Sequence, residues 1–101
     1  MIIYNVTINV EDAIHDEWLK WMRETHLPDV MRTGMFLDFS MAKLLDRQDD
    51  ETGTTYVIQY LAQSMELYKK YAEEFGPALK AESEKKFGGK FVAFRTLMEK
   101  V

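Results

Sequence analysis

Residues 2–10 alternate between two kinds of side chain. One set is apolar or aromatic, comprising Ile2, Tyr4, Val6, Ile8 and Val10, and the other is mostly polar, comprising Ile3, Asn5, Thr7 and Asn9. Successive side chains of a strand point to opposite faces of the sheet, so this pattern predicts a strand with one face toward the core. Asp12 follows as the expected N-cap of a helix.

From Ala13 the apolar spacing changes to the helical period. At about 100° per residue, one arc of the predicted helix holds Ile14, Trp18, Trp21, Met22 and Thr25. The helix should therefore bury both indoles and leave His15 and His26 at the border between core and solvent.

Pro28 lacks a backbone N–H and disfavours the helical conformation of the residue before it. The first helix is therefore expected to end near His26. Pro28 suits the first position of a short second segment that runs from Asp29 to Arg32, with Gly34 as its C′ residue.

The rest of the chain predicts three strands and one more helix. Residues 35–45 and 54–62 have strand patterns, and the polar segment 46–53 between them is typical of a hairpin loop. Ser64 is the expected N-cap of a helix that Gly76-Pro77 should kink and Gly88-Gly89 should end. Residues 90–98 predict the fourth strand. The helix that follows Ser64 has an apolar face, which comprises Leu67, Tyr68, Tyr71, Ala72, Phe75 and Leu79.

The order β-α-β-β-α-β over residues 1–101 predicts one α+β domain of the ferredoxin-like type, a four-stranded antiparallel sheet with two helices on one face. Two helices cover only one face, whereas three of the strands carry apolar residues on both faces. Contiguous apolar surface of this extent is unusual on a monomer in water. The sequence therefore predicts a homodimer in which two sheets pack face to face.

Composition excludes several classes of function. The net charge is −4 and the basic residues are interspersed with acidic ones, whereas a nucleic-acid interface needs a basic stripe. There is no cysteine, so disulfides, thiolate nucleophiles and cysteine-ligated zinc are excluded. No apolar run approaches the roughly 18 residues of a membrane span, and the N-terminus lacks the features of a signal peptide. A cytoplasmic protein without membrane or nucleic-acid partners is the expectation.

Four segments, YNVTINV, WLKWMRETHLPDVMRTG, YVIQY and KFVAFRTLMEK, resemble those of the dimeric α/β-barrel superfamily, and more closely a small bacterial family of uncharacterised function within it. More distant relatives include the antibiotic-biosynthesis monooxygenases, muconolactone isomerase and the ethyl-tert-butyl-ether-degradation accessory family. The resemblance covers the whole chain. It implies a sheet-to-sheet homodimer with a pocket between helices and sheet in each protomer. Cofactor-free monooxygenases of this superfamily place Trp, Asn and Arg side chains in the pocket, and Trp21, Asn5 and Arg95 are of these types.

His26 is the candidate for acid–base chemistry. An imidazole at a helix end can be half-buried and still reach a cleft, and its ordinary pKa near 6.5 suits proton transfer. The structural alternative is that His26 caps the helix C-terminus by hydrogen-bonding free carbonyls.

Arg95 is the only charged residue within the apolar run FVAFRTLM of the fourth strand. A guanidinium in such surroundings needs a partner. The favoured partner is a structural carboxylate, such as Asp38 or Glu82, or a residue across the dimer interface. An anionic ligand is the alternative.

Other side chains could bind a ligand. Trp21 belongs to an aromatic set that could form a pocket wall or could simply be core packing. Tyr4, Asn5, Gln59 and Tyr60 could orient a ligand or could serve cross-strand packing. No cofactor is expected. A metal site is disfavoured, because His15 and His26 lie about 16 Å apart on a helix with a rise of ~1.5 Å per residue, too far for one ion. No serine has an evident base partner.

Three functions are compatible with these patterns. The first is a small-molecule-binding protein with an aromatic cleft near Trp21 and His26. The second is a cofactor-independent oxygenase or isomerase acting on an aromatic or polyketide-like substrate, with His26 as base and Arg95 or Asn5 stabilising an enolate-type anion. The third is a structural or partner-binding dimer.

Overall fold

The computed structural model describes residues 1–46 and 52–101. Four strands form one antiparallel sheet in the order β2-β3-β1-β4: β1 (Ile2–Val10), β2 (Asp38–Lys43), β3 (Thr54–Ala62) and β4 (Phe91–Glu99). The helical segments are α1 (His15–Trp21), α2 (Leu27–Arg32), α3 (Met65–Lys70) and α4 (Gly76–Phe87). This is the predicted ferredoxin-like α+β fold, and no helix of the described residues is long and apolar enough to cross a membrane.

The alternation along β1 sets the two faces of the sheet. Tyr4 lies opposite Tyr60 of β3 and Leu97 of β4, and the next inward residue, Val6, lies opposite Ile58 and Arg95. All five even-numbered residues of β1 are buried, because this face packs against the helices. Burying apolar area is the main favourable term in folding, at roughly 25 cal/mol per Å². This face forms the core with Trp18, Met22, Leu27, Val30, Phe36, Tyr71, Leu79 and Phe87.

The predicted break of the first helix near His26 is wrong. Helical backbone continues over residues 15–32, and the segment Met22–His26 is a π turn in which Leu27 N–H donates to the carbonyl of Met22. In an α-helix the ring of Pro28 would clash with the carbonyl four residues earlier, and the wider π turn relieves that clash. His26 therefore caps no helix end.

The second helix repeats this device. The π turn Tyr71–Phe75 precedes Gly76-Pro77, and Gly76 N–H donates to the carbonyl of Tyr71. The expected kink at Gly76-Pro77 thus takes the form of a π turn, after which the helix continues to Phe87. The predicted caps hold at Ser64, whose hydroxyl accepts from Leu67 N–H at 3.2 Å, and at Gly34, which has φ +75°.

Two predicted boundaries differ from the structure, and a third cannot be compared with it. A 3-10 turn, Asp12–Ile14, begins the first helix with Glu11 as N-cap residue, and no side chain caps it, so the assignment of Asp12 as N-cap is wrong. Strand β2 begins only at Asp38, because Phe36 turns into the core and is 5% exposed. The predicted hairpin loop 46–53 falls largely on residues 47–51, outside the described residues.

The outer face of the sheet carries apolar residues mainly on β4. Val92 and Phe94 are each 66% exposed, and Met98 is 37% exposed. The outward residues of β1 are largely polar, with Asn5, Thr7 and Asn9. The exposed apolar surface predicted from the sequence is therefore present, but it is concentrated on one edge strand.

Candidate functional site

A cavity of about 360 Å³ lies between the helices and the sheet beside β4. Its size is at the lower end of small-molecule sites. The helices contribute Trp18, Met22, His26, Tyr71, Leu79, Lys80, Ser83 and Glu84. The sheet contributes Tyr4, Val6, Ile8, Ile58, Tyr60, Phe91, Val92, Ala93 and Arg95.

Both π turns deliver side chains to this cavity. The first supplies Met22 and His26, and the second supplies Tyr71. A π turn inserts one extra residue into a helix, so side chains before and after it face directions that a regular helix could not combine. The two prolines that follow the turns, Pro28 and Pro77, thus have a direct bearing on the shape of the site.

His26 is the most unusual polar group in the cavity. Its ring stacks on Trp21, with centroids 5.1 Å apart and planes at 30°, and Trp21 in turn meets Phe87 edge-on at 5.6 Å. His26 Nδ1 is buried and has no hydrogen-bond partner among the described residues. A buried polar atom without a partner costs about 1–3 kcal/mol. The Nδ1 atom is closed off, so His26 lines the cavity with the rest of its ring.

Burial also keeps His26 neutral. Desolvation lowers the pKa of His26 from its ordinary value of 6.5 to about 4; the carboxylate of Asp29 opposes the shift and the guanidinium of Arg95 adds to it. A neutral imidazole has one N–H donor and one acceptor nitrogen. His26 can thus hydrogen-bond a ligand, but it is a weak base near pH 7, since a general base works best with a pKa near the operating pH.

Three tyrosines form the inner wall of the cavity. The ring of Tyr4 lies 5.8 Å from that of Tyr60 and 6.0 Å from that of Tyr71, and Phe36 packs 5.0 Å from Tyr60. Burial raises the pKa of all three phenols, and the charge of Arg95 opposes the rise in each. Their hydroxyls therefore stay protonated and can donate hydrogen bonds at neutral pH.

Arg95 brings a positive charge to the cavity from the edge strand. Its Nε donates to the hydroxyl of Tyr4 at 3.0 Å. The predicted pairing with Asp38 or Glu82 is absent, and no carboxylate of residues 1–46 or 52–101 makes an ion pair with it. Arg95 is an exposed residue, so solvent stabilises a charge that no carboxylate of the described residues balances.

The structure brings together four of the seven predicted site residues. The cavity is lined by His26, Tyr4, Tyr60 and Arg95. Trp21 is not part of the lining and lies behind His26 as its stacking partner. Asn5 and Gln59 lie opposite each other on the outer face of the sheet, where Gln59 Nε2 donates to Asn5 Oδ1 at 3.2 Å. They cannot reach the cavity, because residues adjacent along a strand point to opposite faces.

Sequence analysis missed the rim of the cavity. Lys80, Ser83 and Glu84 come from α4, one turn apart, and place a cation, a hydroxyl and a carboxylate beside the apolar Leu79. Their spacing of three and four residues is the signal that they share a helix side. In the part of the chain that the structure describes, no cluster of three or more His, Asp or Glu side chains could hold a metal ion.

A second depression is larger but less suited to chemistry. It has a volume of about 650 Å³ and lies between the first helix and β2, where Leu19, Leu27 and Met41 form its floor. It is a wide, open groove, whereas the cavity beside β4 is more enclosed and contains the buried polar groups. Ligand sites combine an enclosed apolar wall with a few convergent polar groups, so the cavity is the candidate site.

The fold and the cavity together define a ferredoxin-like α+β protein with a ligand-sized space between its helices and its sheet. The chain belongs to the family described as a domain of unknown function (DUF4286), which matches residues 1–101. A comparison with curated proteins finds no match.

Solved structures confirm the fold. An ethyl tert-butyl ether degradation (EthD) family protein from Bacillus halodurans has a TM-score of 0.75 at 14% identity, and the match covers 100% of both chains. HapK from Hahella chejuensis has a TM-score of 0.72 at 13% identity, covering 100% of this chain and 93% of that one. SnoaB, a cofactor-independent oxygenase from Streptomyces nogalater, has a TM-score of 0.66 at 12% identity, covering 99% and 92%. At such identities the likeness concerns the fold, and function must be argued from the site.

Proposed function

We propose that the protein binds a small organic molecule in the cavity beside β4. The observation that carries the proposal is an enclosed space of about 360 Å³ in which His26, Tyr60 and Arg95 meet apolar side chains of the helices and the sheet. Small-molecule sites combine such apolar walls with a few convergent polar groups. The apolar residues around this space, including Ile58 and Leu79, would bury the body of the ligand.

The direct test is to fill the space. Ala93 lines the cavity, so Ala93→Phe should occupy it, whereas Ala72→Phe places the same ring at an exposed position on the second helix outside the lining. Wild-type protein should gain melting temperature with members of a library of small aromatic and aliphatic compounds. The gain should disappear in Ala93→Phe and persist in Ala72→Phe. Absence of any stabilising compound, or equal gains in both variants, would contradict the proposal.

A second candidate function is a cofactor-independent oxygenase or isomerase. It is favoured by the likeness to SnoaB, described as a cofactor-independent oxygenase, and by the convergence of His26, Arg95 and the tyrosine hydroxyls. Because its pKa is lowered, His26 suits hydrogen bonding to a substrate better than it suits proton abstraction. Incubation of the protein with a hydroxylated polycyclic substrate in air, with oxygen uptake as the measurement, separates catalysis from binding. A rate that His26→Gln leaves unchanged would place catalysis elsewhere.

We also propose that the protein acts as a homodimer through the outer face of its sheet. Val92, Phe94 and Met98 expose apolar surface there, and a second sheet packed on the first would remove it from water. In such a dimer the Asn5–Gln59 pair would lie at or near the interface, where polar groups can fix the relative position of the two sheets. This dimer leaves the cavity, on the other side of the sheet, available to a ligand.

A further inference from the structure

The formal charges around the cavity favour an anion. Lys80 and Arg95 contribute two positive charges to the lining and Glu84 one negative charge, while His26 is neutral. Among the described residues no carboxylate makes an ion pair with Arg95, so its charge has no counterpart on the sheet side of the cavity.

The hydrogen bond between Arg95 and Tyr4 prepares a second donor. Because the Tyr4 oxygen accepts from Arg95 Nε, its own proton remains available to another acceptor. A hydroxyl that accepts a hydrogen bond from a cation is polarised and becomes a better donor. The remaining N–H groups of the guanidinium lie beside it and make no hydrogen bond with described residues. A planar, two-oxygen acceptor matches this arrangement, since guanidinium groups bind carboxylates through parallel hydrogen bonds.

The rest of the lining limits what else the ligand can carry. Val6, Ile8, Ile58 and Phe91 are apolar, so the body of the molecule must be apolar or aromatic. The formal charges of Lys80, Arg95 and Glu84 sum to +1, and a dianion such as a phosphate monoester would bring a second, unbalanced negative charge into the site.

Resting on the proposed ligand-binding function, we propose that the cavity takes a monoanionic carboxylate on a small apolar or aromatic body, with the carboxylate held by Arg95 and the hydroxyl of Tyr4. Neutral His26 then supplies a further hydrogen bond to a polar substituent on the ligand body. Arg95 and Tyr4 thereby select the class of ligand, and the apolar wall contributes affinity for its ring.

Calorimetric titration at pH 7 with two matched probes tests this assignment. The probes are naphthalene-2-carboxylate and its neutral isostere, naphthalene-2-carboxamide. The carboxylate should bind at least tenfold more tightly than the amide, because charge-assisted hydrogen bonds are about twice as strong as neutral ones. Arg95→Gln should abolish this preference by weakening the carboxylate at least tenfold and leaving the amide unchanged. Arg23→Gln, which removes a guanidinium outside the cavity lining, is the matched control.

A second variant keeps the charge constant. Tyr4→Phe should weaken the carboxylate severalfold and spare the amide, whereas Tyr68→Phe, whose ring touches Tyr4 without lining the cavity, should change neither. Equal affinity of the two probes, or an equal loss of both in Arg95→Gln, would overturn the anion proposal while leaving the cavity as a binding site. If neither probe binds at millimolar concentration and no compound in the thermal screen does, the ligand-binding function itself fails.

Discussion

Trp21 lies face to face with His26, their ring centroids 5.1 Å apart and their planes at 30°. The indole covers the side of the imidazole that does not face the cavity. Trp21 therefore acts on the site through His26, by orienting the ring and by excluding water from it. This places a residue predicted to touch the ligand one layer behind it.

Replacement of Trp21 should change the acid–base behaviour of His26. In Trp21→Ala, water reaches the imidazole and the desolvation that lowers its pKa is reduced. The pKa of His26 should then rise from about 4 toward 6.5, by roughly one pH unit or more, in an NMR titration of the imidazole resonances. Lys20→Ala, an exposed substitution in the same helix, should leave it in place. An unchanged pKa in Trp21→Ala would assign the lowered value to other neighbours.

His26 also predicts a dependence of stability on pH. The unfolded chain, with a histidine pKa near 6.5, binds more protons than the folded chain, in which the pKa is about 4. Neutral His26 therefore contributes fully to the free energy of unfolding above pH 6.5. This contribution is lost as the pH falls toward 4, and the total loss is about 3 kcal/mol. The charged groups that act on His26 are Asp29 and Arg95, and a substitution of His26 leaves both in place.

Urea unfolding of wild type and His26→Gln between pH 7 and 4 measures this contribution. The free energy of unfolding of the wild type should fall by about 3 kcal/mol more than that of the variant. His15→Gln removes the other imidazole and keeps His26, so it should follow the wild type. Parallel curves for wild type and His26→Gln would show that the folded and unfolded chains protonate this histidine alike.

The proposed dimer predicts the effect of a charge on β4. Phe94 is 66% exposed on the outer face, and Phe94→Asp would place carboxylates in the proposed interface at a cost that apolar contacts cannot offset. Wild type should sediment at about twice the protomer mass of 11.9 kDa, and Phe94→Asp should sediment as the protomer. Met65→Asp, at a 40% exposed position on α3, should remain dimeric. A wild type that sediments as the protomer at micromolar concentration would contradict the dimer.

Two glycines with positive φ should respond differently to alanine. Gly53 has φ +75°, and a Cβ there would lie 2.6 Å from the carbonyl oxygen of Val10, whereas Gly89 has φ +80° with nothing within 4 Å. Gly89→Ala should cost only the left-handed backbone penalty of about 1–2 kcal/mol. Gly53→Ala adds a backbone clash and should cost about 3 kcal/mol or more, as measured by denaturant unfolding. Equal costs would indicate that the chain around Gly53 moves aside without penalty.

The periodicity of the sequence was sufficient to predict the fold. The alternation in β1 and the helical spacing after Ala13 each depend on one face being buried, and burial is the term that selects the structure. The same alternation contained the signal that Asn5 faces away from Tyr4. Chemical type alone does not contain this signal, and an amide side chain such as that of Asn5 suits a ligand site on either face of the sheet.

The sequence pattern does not predict the π turns. Pro28 and Pro77 each read as a helix interruption, because proline removes a hydrogen bond in any regular helix. Whether the chain breaks or widens by one residue depends on packing on both sides of the turn. Trp18, Leu27 and Val30 are all buried, and this continuous contact with the sheet favours an unbroken helix. The position of His26 in the cavity follows from the π turn that keeps this helix unbroken.

The sheet separates the cavity from the outer face, and alternate side chains of each strand face one or the other. Both surfaces therefore depend on the same strand register. Tyr4 faces the cavity and Asn5 faces outward, so a slip of β1 by one residue would exchange them. Every inward residue of β1 would move outward in the same step. An insertion or deletion within β1 should therefore damage the binding cavity and the outer face together, whereas a point substitution can alter one and spare the other.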